Sequence, residues 1–218
     1  AQLNTMGFSL YTWTIFLGVS LIFCSCDPAQ PKYDSWLKTG GGNENLKYSS
    51  LHQIDTSNYD QLGVAWIYYS ENKDSTKFGP MECNPIVVDG VMYGVSPKLK
   101  LFAINAATGK ELWTFNPADS VANKKWHRNS VNMNRGVAYW ANGNDKRIIY
   151  TVGPIVFCVN ALTGNLVKSF GQEGGINLVN GLDRNPDKLF VAPTSPVMVY
   201  KNLFFVSGLV GDETPGHI

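Results

Sequence analysis

Phe102-Ala-Ile-Asn-Ala-Ala-Thr-Gly-Lys-Glu-Leu-Trp-Thr-Phe115 returns, at an offset of 55 residues, as Phe157-Cys-Val-Asn-Ala-Leu-Thr-Gly-Asn-Leu-Val-Lys-Ser-Phe170. Each copy reads as a strand, a turn closed by Thr-Gly, and a second strand. A self-similar unit of this length holding several hairpins is the signature of a propeller blade. One blade is a small antiparallel sheet that cannot bury both faces alone, so neighbours must stack. The alternative is a β-sandwich with two similar hairpins; turn chemistry and flanking strands repeating together favour the propeller. Trp113 ends the first copy, whereas Lys168 stands at its place in the second, so the aromatic position is not repeated.

Outward from this unit the chain falls into short strand-like runs. The expected strands are Val64–Tyr69, Pro85–Val88, Val91–Val95, Leu99–Asn105, Glu111–Phe115, Val137–Trp140, Arg147–Val152 and Ile155–Asn160. Leu166–Phe170, Leu189–Ala192, Val197–Tyr200 and Leu203–Gly208 complete the set. Asp89-Gly90, Thr108-Gly109, Asn142-Gly143, Thr163-Gly164 and Lys201-Asn202 separate them, and residues of this kind supply the positive φ that tight hairpins need. The reading is all-β, with roughly three blades in the chain.

Composition agrees. Among 218 residues there are 21 Gly, 12% aromatics and only 16% charged residues, which suits many strands and tight turns. A hydrophobic fraction of 44% excludes general disorder. Lys+Arg 18 against Asp+Glu 17 gives a net charge of +1 and no basic run, so no nucleic-acid partner is expected. Cys24, Cys26, Cys83 and Cys158 form no zinc pattern. Cys83 and Cys158 read as two buried thiols, with a disulfide as the alternative.

The front of the chain reads as an export signal. Phe8 to Phe23 is almost wholly apolar, and no charge precedes Asp27. The run is short for a membrane span, so a signal-peptide core is expected over 1–26. Phe-Cys-Ser-Cys resembles a loose bacterial lipobox with Cys26 as the lipidated residue; a plain signal peptide or short anchor helix is the alternative. Residues 27–35 then form a polar tether, and 36–218 the propeller portion. The expectation is a periplasmic, membrane-anchored protein. Gly216-His217-Ile218 reads like the start of a further strand, so a fragment of a longer protein is expected.

Ala103-Ile-Asn-Ala-Ala-Thr-Gly-Lys-Glu-Leu-Trp113 resembles the tryptophan-docking motif of quinoprotein dehydrogenases. Trp36-Leu-Lys-Thr-Gly-Gly-Gly, Lys47 to Ile54, Asn58 to Trp66, Asn134-Arg-Gly-Val-Ala-Tyr-Trp140 and Gly181-Leu-Asp-Arg184 resemble further segments of that family in order. The likeness is greatest to the glucose dehydrogenase-like branch. It implies an eight-bladed propeller holding pyrroloquinoline quinone and Ca²⁺, in an enzyme that oxidises a sugar or alcohol. In that mechanism an Asp base removes the hydroxyl proton while Ca²⁺ polarises the quinone. The base would lie beyond residue 218, so these residues alone would be inactive.

Three residues match cofactor-contacting positions of the family. Arg135 offers a planar, permanently charged fork suited to a carboxylate or quinone oxygen; a surface Arg is the alternative. Glu82, in Met-Glu-Cys-Asn-Pro, fits if it pairs with an Arg or accepts a hydrogen bond, and otherwise is a solvated loop acid. Thr194, in Ala-Pro-Thr-Ser-Pro, is either a hydroxyl donor or a turn residue. Asn129-Ser130 stands where methanol dehydrogenases carry adjacent cysteines, and Asp212 and Glu213 do not match the Ca²⁺ spacing. His52, His127 and His217 are scattered, and Lys124-Lys125-Trp126-His127-Arg128 reads as a solvated loop. No Cys-x-x-Cys-His haem site occurs, so the electron acceptor is expected to be a membrane quinone or a separate cytochrome. The rival is a propeller lipoprotein acting as an outer-membrane assembly scaffold.

Overall fold

The computed structural model describes residues 35–70, 81–120, 133–183 and 190–208. The strands are β1 (Ile86–Val88), β2 (Val91–Val95), β3 (Leu101–Asn105) and β4 (Glu111–Phe115) in one antiparallel sheet of that order. A second sheet holds β5 (Ala138–Asn142), β6 (Asp145–Val152), β7 (Ile155–Asn160) and β8 (Gly175–Asn177), again in order. A third unit begins with the hairpin β9 (Met198–Tyr200) and β10 (Leu203–Phe205). Sequential four-stranded meanders stacked on one another are propeller blades, as the repeat predicts.

Alternation along the strands explains the stacking. Ile148, Tyr150 and Val152 of β6, with Phe157 and Val159 of β7, join Ile86, Tyr93, Val95 and Leu101 in one buried cluster between the first two blades. Their neighbours Ile149, Val156 and Cys158 point the other way and meet Val197, Val199 and Phe204 beside the third hairpin. A strand presents successive side chains to opposite faces, so a blade apolar on both faces must have a neighbour on each. The second blade has both.

The two repeat copies form the same turn. Asn105 Oδ1 accepts from Ala107 N, Thr108 N and Thr108 Oγ1, and Asn160 Oδ1 accepts from Leu162 N, Thr163 N and Thr163 Oγ1. Gly109 (φ +68°) and Gly164 (φ +74°) close the turns by donating to the Asn105 and Asn160 carbonyls. On each turn lies an indole from elsewhere in the chain. Trp66 Nε1 donates to Ala106 O at 3.2 Å, and Trp113 Nε1 donates to Ala161 O at 3.1 Å. The repeated feature is therefore the turn that receives a tryptophan. Trp66 and Trp113 occupy the two seats, although Lys168 breaks the series within the repeat itself.

Four expectations about elements change. Val64–Tyr69 joins no ladder; Trp66 and Tyr68 are partly buried where their neighbours are exposed, and Tyr68 lies against Phe102 and Glu111. Leu166–Phe170 contributes only a bridge from Leu166 to Val159, because Val167 accepts a turn bond from Phe170 and positive-φ Gly171 and Gly174 bend the chain into β8. Residues 190–192 are not a strand: they run into Pro193, which cannot donate to a ladder. The β5–β6 turn is Gly143-Asn144, one residue later than expected, since Asn142 pairs with Asp145 and Gly143 takes the positive φ. Cys83 and Cys158 are free thiols.

Candidate functional site

Glu82, Arg135 and Thr194 each stand three or four residues before the first strand of their own unit, β1, β5 and β9. Stacked blades bring equivalent positions to one end, so three residues far apart in sequence become neighbours. The lead-in segments are tied side by side through their backbones. Arg135 N donates to Thr194 O at 2.9 Å, and Asn84 N donates to Arg135 O at 3.0 Å. Asn84 and Gly136 form a parallel bridge.

The side chains converge as well. Arg135 Nε lies 3.5 Å from Glu82 Oε2, and Arg135 Nη1 lies 3.5 Å from Thr194 Oγ1. The Arg135 side chain is 51% exposed and that of Glu82 34%. An ion pair this open contributes little to stability; its effect is to aim the fork. Thr194 is buried, its carbonyl held by Arg135 N. A guanidinium carries five N–H donors in one plane. With Nε turned to Glu82 and Nη1 to Thr194, the exposed fork still presents donors to an anion.

Several residues that support this arrangement carry no obvious sequence signal. Asn84 Nδ2 donates a second bond to Arg135 O at 3.1 Å. Gly136 has φ +154°, and a Cβ there would lie 2.9 Å from Pro196 Cγ and 3.2 Å from Asn84 O, so only glycine admits the approach of the three segments. Buried Asn134 and Thr151 also belong to the surround. A glycine one residue after a charged site candidate is a readable cue for close backbone approach; the two asparagines give none. Beside Glu82, Cys83 Sγ accepts from Val95 N at 3.2 Å, and burial pushes its thiol up to about 11.

Residues 36–217 match the family described as PQQ: Glucose/ethanol/alcohol dehydrogenase, beta-propeller domain. The chain belongs to this family of pyrroloquinoline quinone-dependent dehydrogenases. It is 30% identical over 196 residues to the glycerol dehydrogenase large subunit of Gluconobacter oxydans, covering 84% of this chain and 26% of that protein. It is 34% identical over 135 residues to quinohemoprotein alcohol dehydrogenase ADH IIB of Pseudomonas putida, covering 62% of this chain and 18% of that protein. The fold matches the crystal structure of quinohemoprotein alcohol dehydrogenase from Comamonas testosteroni with a TM-score of 0.61 at 24% identity, over 81% of this chain and 23% of that one. The chain thus spans about a quarter of the length of the first of these dehydrogenases.

The donor set suits the quinone of this family. A flat tricarboxylate needs a cation and hydroxyl or N–H donors, and Arg135 and Thr194 provide them at one point. Calcium is another matter. Among the described residues no group of three His, Cys, Asp or Glu side chains comes together. Asp212, Glu213, His127, His217, Arg184, Asn129-Ser130 and the basic cluster 124–128 lie outside the described residues. So do Cys26 and the whole apolar segment before it. Among the described residues no helix is long and apolar enough to cross a membrane.

Proposed function

We propose that the full-length protein is a quinone-dependent dehydrogenase that oxidises an alcohol or polyol, with Arg135, Glu82 and Thr194 among the residues that hold pyrroloquinoline quinone. The observation that carries the reading is the convergence of these three side chains from the lead-in segments of three successive blades. When bound, the quinone supplies the two-electron oxidant for a substrate hydroxyl. The role of this chain is binding and orientation. Arg135 offers charge-assisted N–H donors to a carboxylate or quinone oxygen. Glu82 restrains the fork from its Nε side, and Thr194 fixes it from the other. The relatives reported above are named as glycerol and alcohol dehydrogenases, which supports an alcohol or polyol among the sugar or alcohol substrates that the sequence suggested, although the family description also names glucose.

Calcium, export to the periplasm, lipidation at Cys26 and transfer of electrons to a separate acceptor complete the proposal. The last is supported by the naming of the Gluconobacter oxydans relative as a large subunit, which implies a partner subunit. The test is dye-linked oxidation by the full-length protein with added quinone and Ca²⁺, over a panel of alcohols, polyols and sugars. Quinone-dependent turnover that Arg135→Ala weakens at least tenfold is expected, from the loss of a charge-assisted contact of about 1.5–3 kcal/mol. A folded protein that binds no quinone refutes the reading.

A further inference from the structure

We infer that Asn134 and Thr151 are positioning residues that set the Arg135–Thr194 pair through a closed hydrogen-bonded circuit; the inference rests on the cofactor reading above. The circuit begins where the β5–β6 ladder stops. Its last pair in that direction is Ala138 with Ile149. Continuing the register would put Gly136 opposite Thr151, yet Gly136 is instead bridged to Asn84. The Asn134 amide fills the gap. Its Oδ1 accepts from Gly136 N at 2.9 Å, and its Nδ2 donates to Thr151 O at 3.0 Å. One side chain thereby replaces a rung of the sheet and satisfies groups that burial would otherwise leave unpaired.

Thr151 continues the circuit. Its Oγ1 donates to Pro193 O at 3.0 Å. The next residue is Thr194, whose carbonyl accepts from Arg135 N, which returns the circuit to the neighbour of Asn134. Asn134 and Thr151 are 4% and 1% exposed, so water does not compete for these bonds. Each contact is to backbone, which makes the circuit a device for placing two short segments rather than a ligand site. Residues 134–136 and 193–194 are held at one spacing, and with them the 3.5 Å approach of Arg135 Nη1 to Thr194 Oγ1.

The roles require different atoms. Asn134 must both donate and accept, which Asp cannot do when ionised and Leu cannot do at all. Thr151 must donate from Oγ1 while its methyl group fills the buried site, so Val keeps the shape and loses the bond. Ser keeps the bond.

The test is quinone affinity of the full-length protein, measured by calorimetric titration with pyrroloquinoline quinone, with unfolding midpoints recorded alongside. Thr151→Val is expected to weaken binding about tenfold, the equivalent of one buried hydrogen bond. Thr151→Ser restores it, and Asn134→Asp weakens it to a similar degree. In a Thr194→Ala background the Thr151→Val effect shrinks, because the group being placed is gone; a purely structural role leaves that ratio unchanged. Unchanged affinity in Thr151→Val, with Arg135→Ala still weakening binding, overturns the positioning role alone. Unchanged affinity in Arg135→Ala overturns the cofactor reading beneath it. If Thr151→Val and Asn134→Asp both fail to fold, the circuit serves folding only and the proposal falls.

Discussion

Gly164→Ala tests how the blades are joined, and Gly90→Ala is its internal control. The two glycines have nearly the same φ, +74° at Gly164 and +75° at Gly90. An L residue in this region costs roughly 1–2 kcal/mol, so both variants carry that penalty. Their surroundings differ. A Cβ at Gly90 would meet nothing within 4 Å, whereas one at Gly164 would lie 2.7 Å from Trp113 Cε3. No real Cβ sits so close to a ring, so the indole must move. Moving it breaks the Trp113 Nε1 bond to Ala161 O, about 1 kcal/mol, and forces a packed contact apart for about another 1–2 kcal/mol.

Gly164→Ala should therefore destabilise by about 2–3 kcal/mol more than Gly90→Ala. Urea unfolding of the purified protein measures this as a lower midpoint at unchanged slope. Gly109→Ala belongs with Gly164→Ala, since its Cβ would lie 2.6 Å from Trp66 Cδ2 at φ +68°. Equal losses at positions 90 and 164 would show that the tryptophan seat carries no stability of its own. The reasoning from ring contact to blade joining would then be wrong.

Further expectations follow from the same contacts and from the cysteines. Trp113→Phe keeps an apolar ring but removes the N–H donated to Ala161 O, and should cost about 1–2 kcal/mol in the same urea assay; no loss would mean the ring alone holds the seat. Burial pushes the thiols of Cys83 and Cys158 from 9.0 up to about 11, so both should resist iodoacetamide at pH 8, read site by site in a peptide mass spectrum. Because the folded state favours the neutral thiols, their contribution to stability is present below pH 9 and lost as pH rises from 9 to 11; rapid labelling at pH 8 would contradict the burial of these groups. Cys26→Ser should abolish incorporation of labelled palmitate by cells expressing the protein, whereas persistent label would place the lipid elsewhere.

Strands with both an alternating pattern and a defined turn were legible in the sequence. β1 and β2 flank Asp89-Gly90, which takes φ +50° and +75° as a tight hairpin demands, and β7 was read to the residue. Val64–Tyr69 was not, and the reason is instructive. Its alternation is real, with Trp66 and Tyr68 partly buried between exposed neighbours, but alternation reports only which side chains are buried. A strand also needs a hydrogen-bonding partner, and sequence alone does not name one. Leu166–Phe170 failed for the complementary reason. Its apolar residues are partly buried, yet the Gly171-Gln-Glu-Gly174 turn that follows places the outer strand beyond them. The Gly153-Pro154 turn between β6 and β7 fills the gap between the expected strands Arg147–Val152 and Ile155–Asn160.

The site divides along a similar line. Arg135, Glu82 and Thr194 were reached through family resemblance, one motif at a time, and nothing in their spacing says that they meet. What makes them meet is the repeat. Each precedes the first strand of a blade, and blades that stack in register carry their lead-in segments to the same end. The repeat that decides the fold therefore also assembles the site. The residues that hold the geometry stayed hidden because their work is done on backbone atoms. Asn134 stands in for a missing rung, Asn84 holds Arg135 O twice, and Thr151 reaches Pro193 O from inside a strand. Each looks ordinary in a sequence because its partner is a carbonyl or an N–H that every residue has. Where stacked sheets must end together, such polar side chains are the means of ending them, and at this end they hold the backbone on both sides of the arginine and the segment of Thr194.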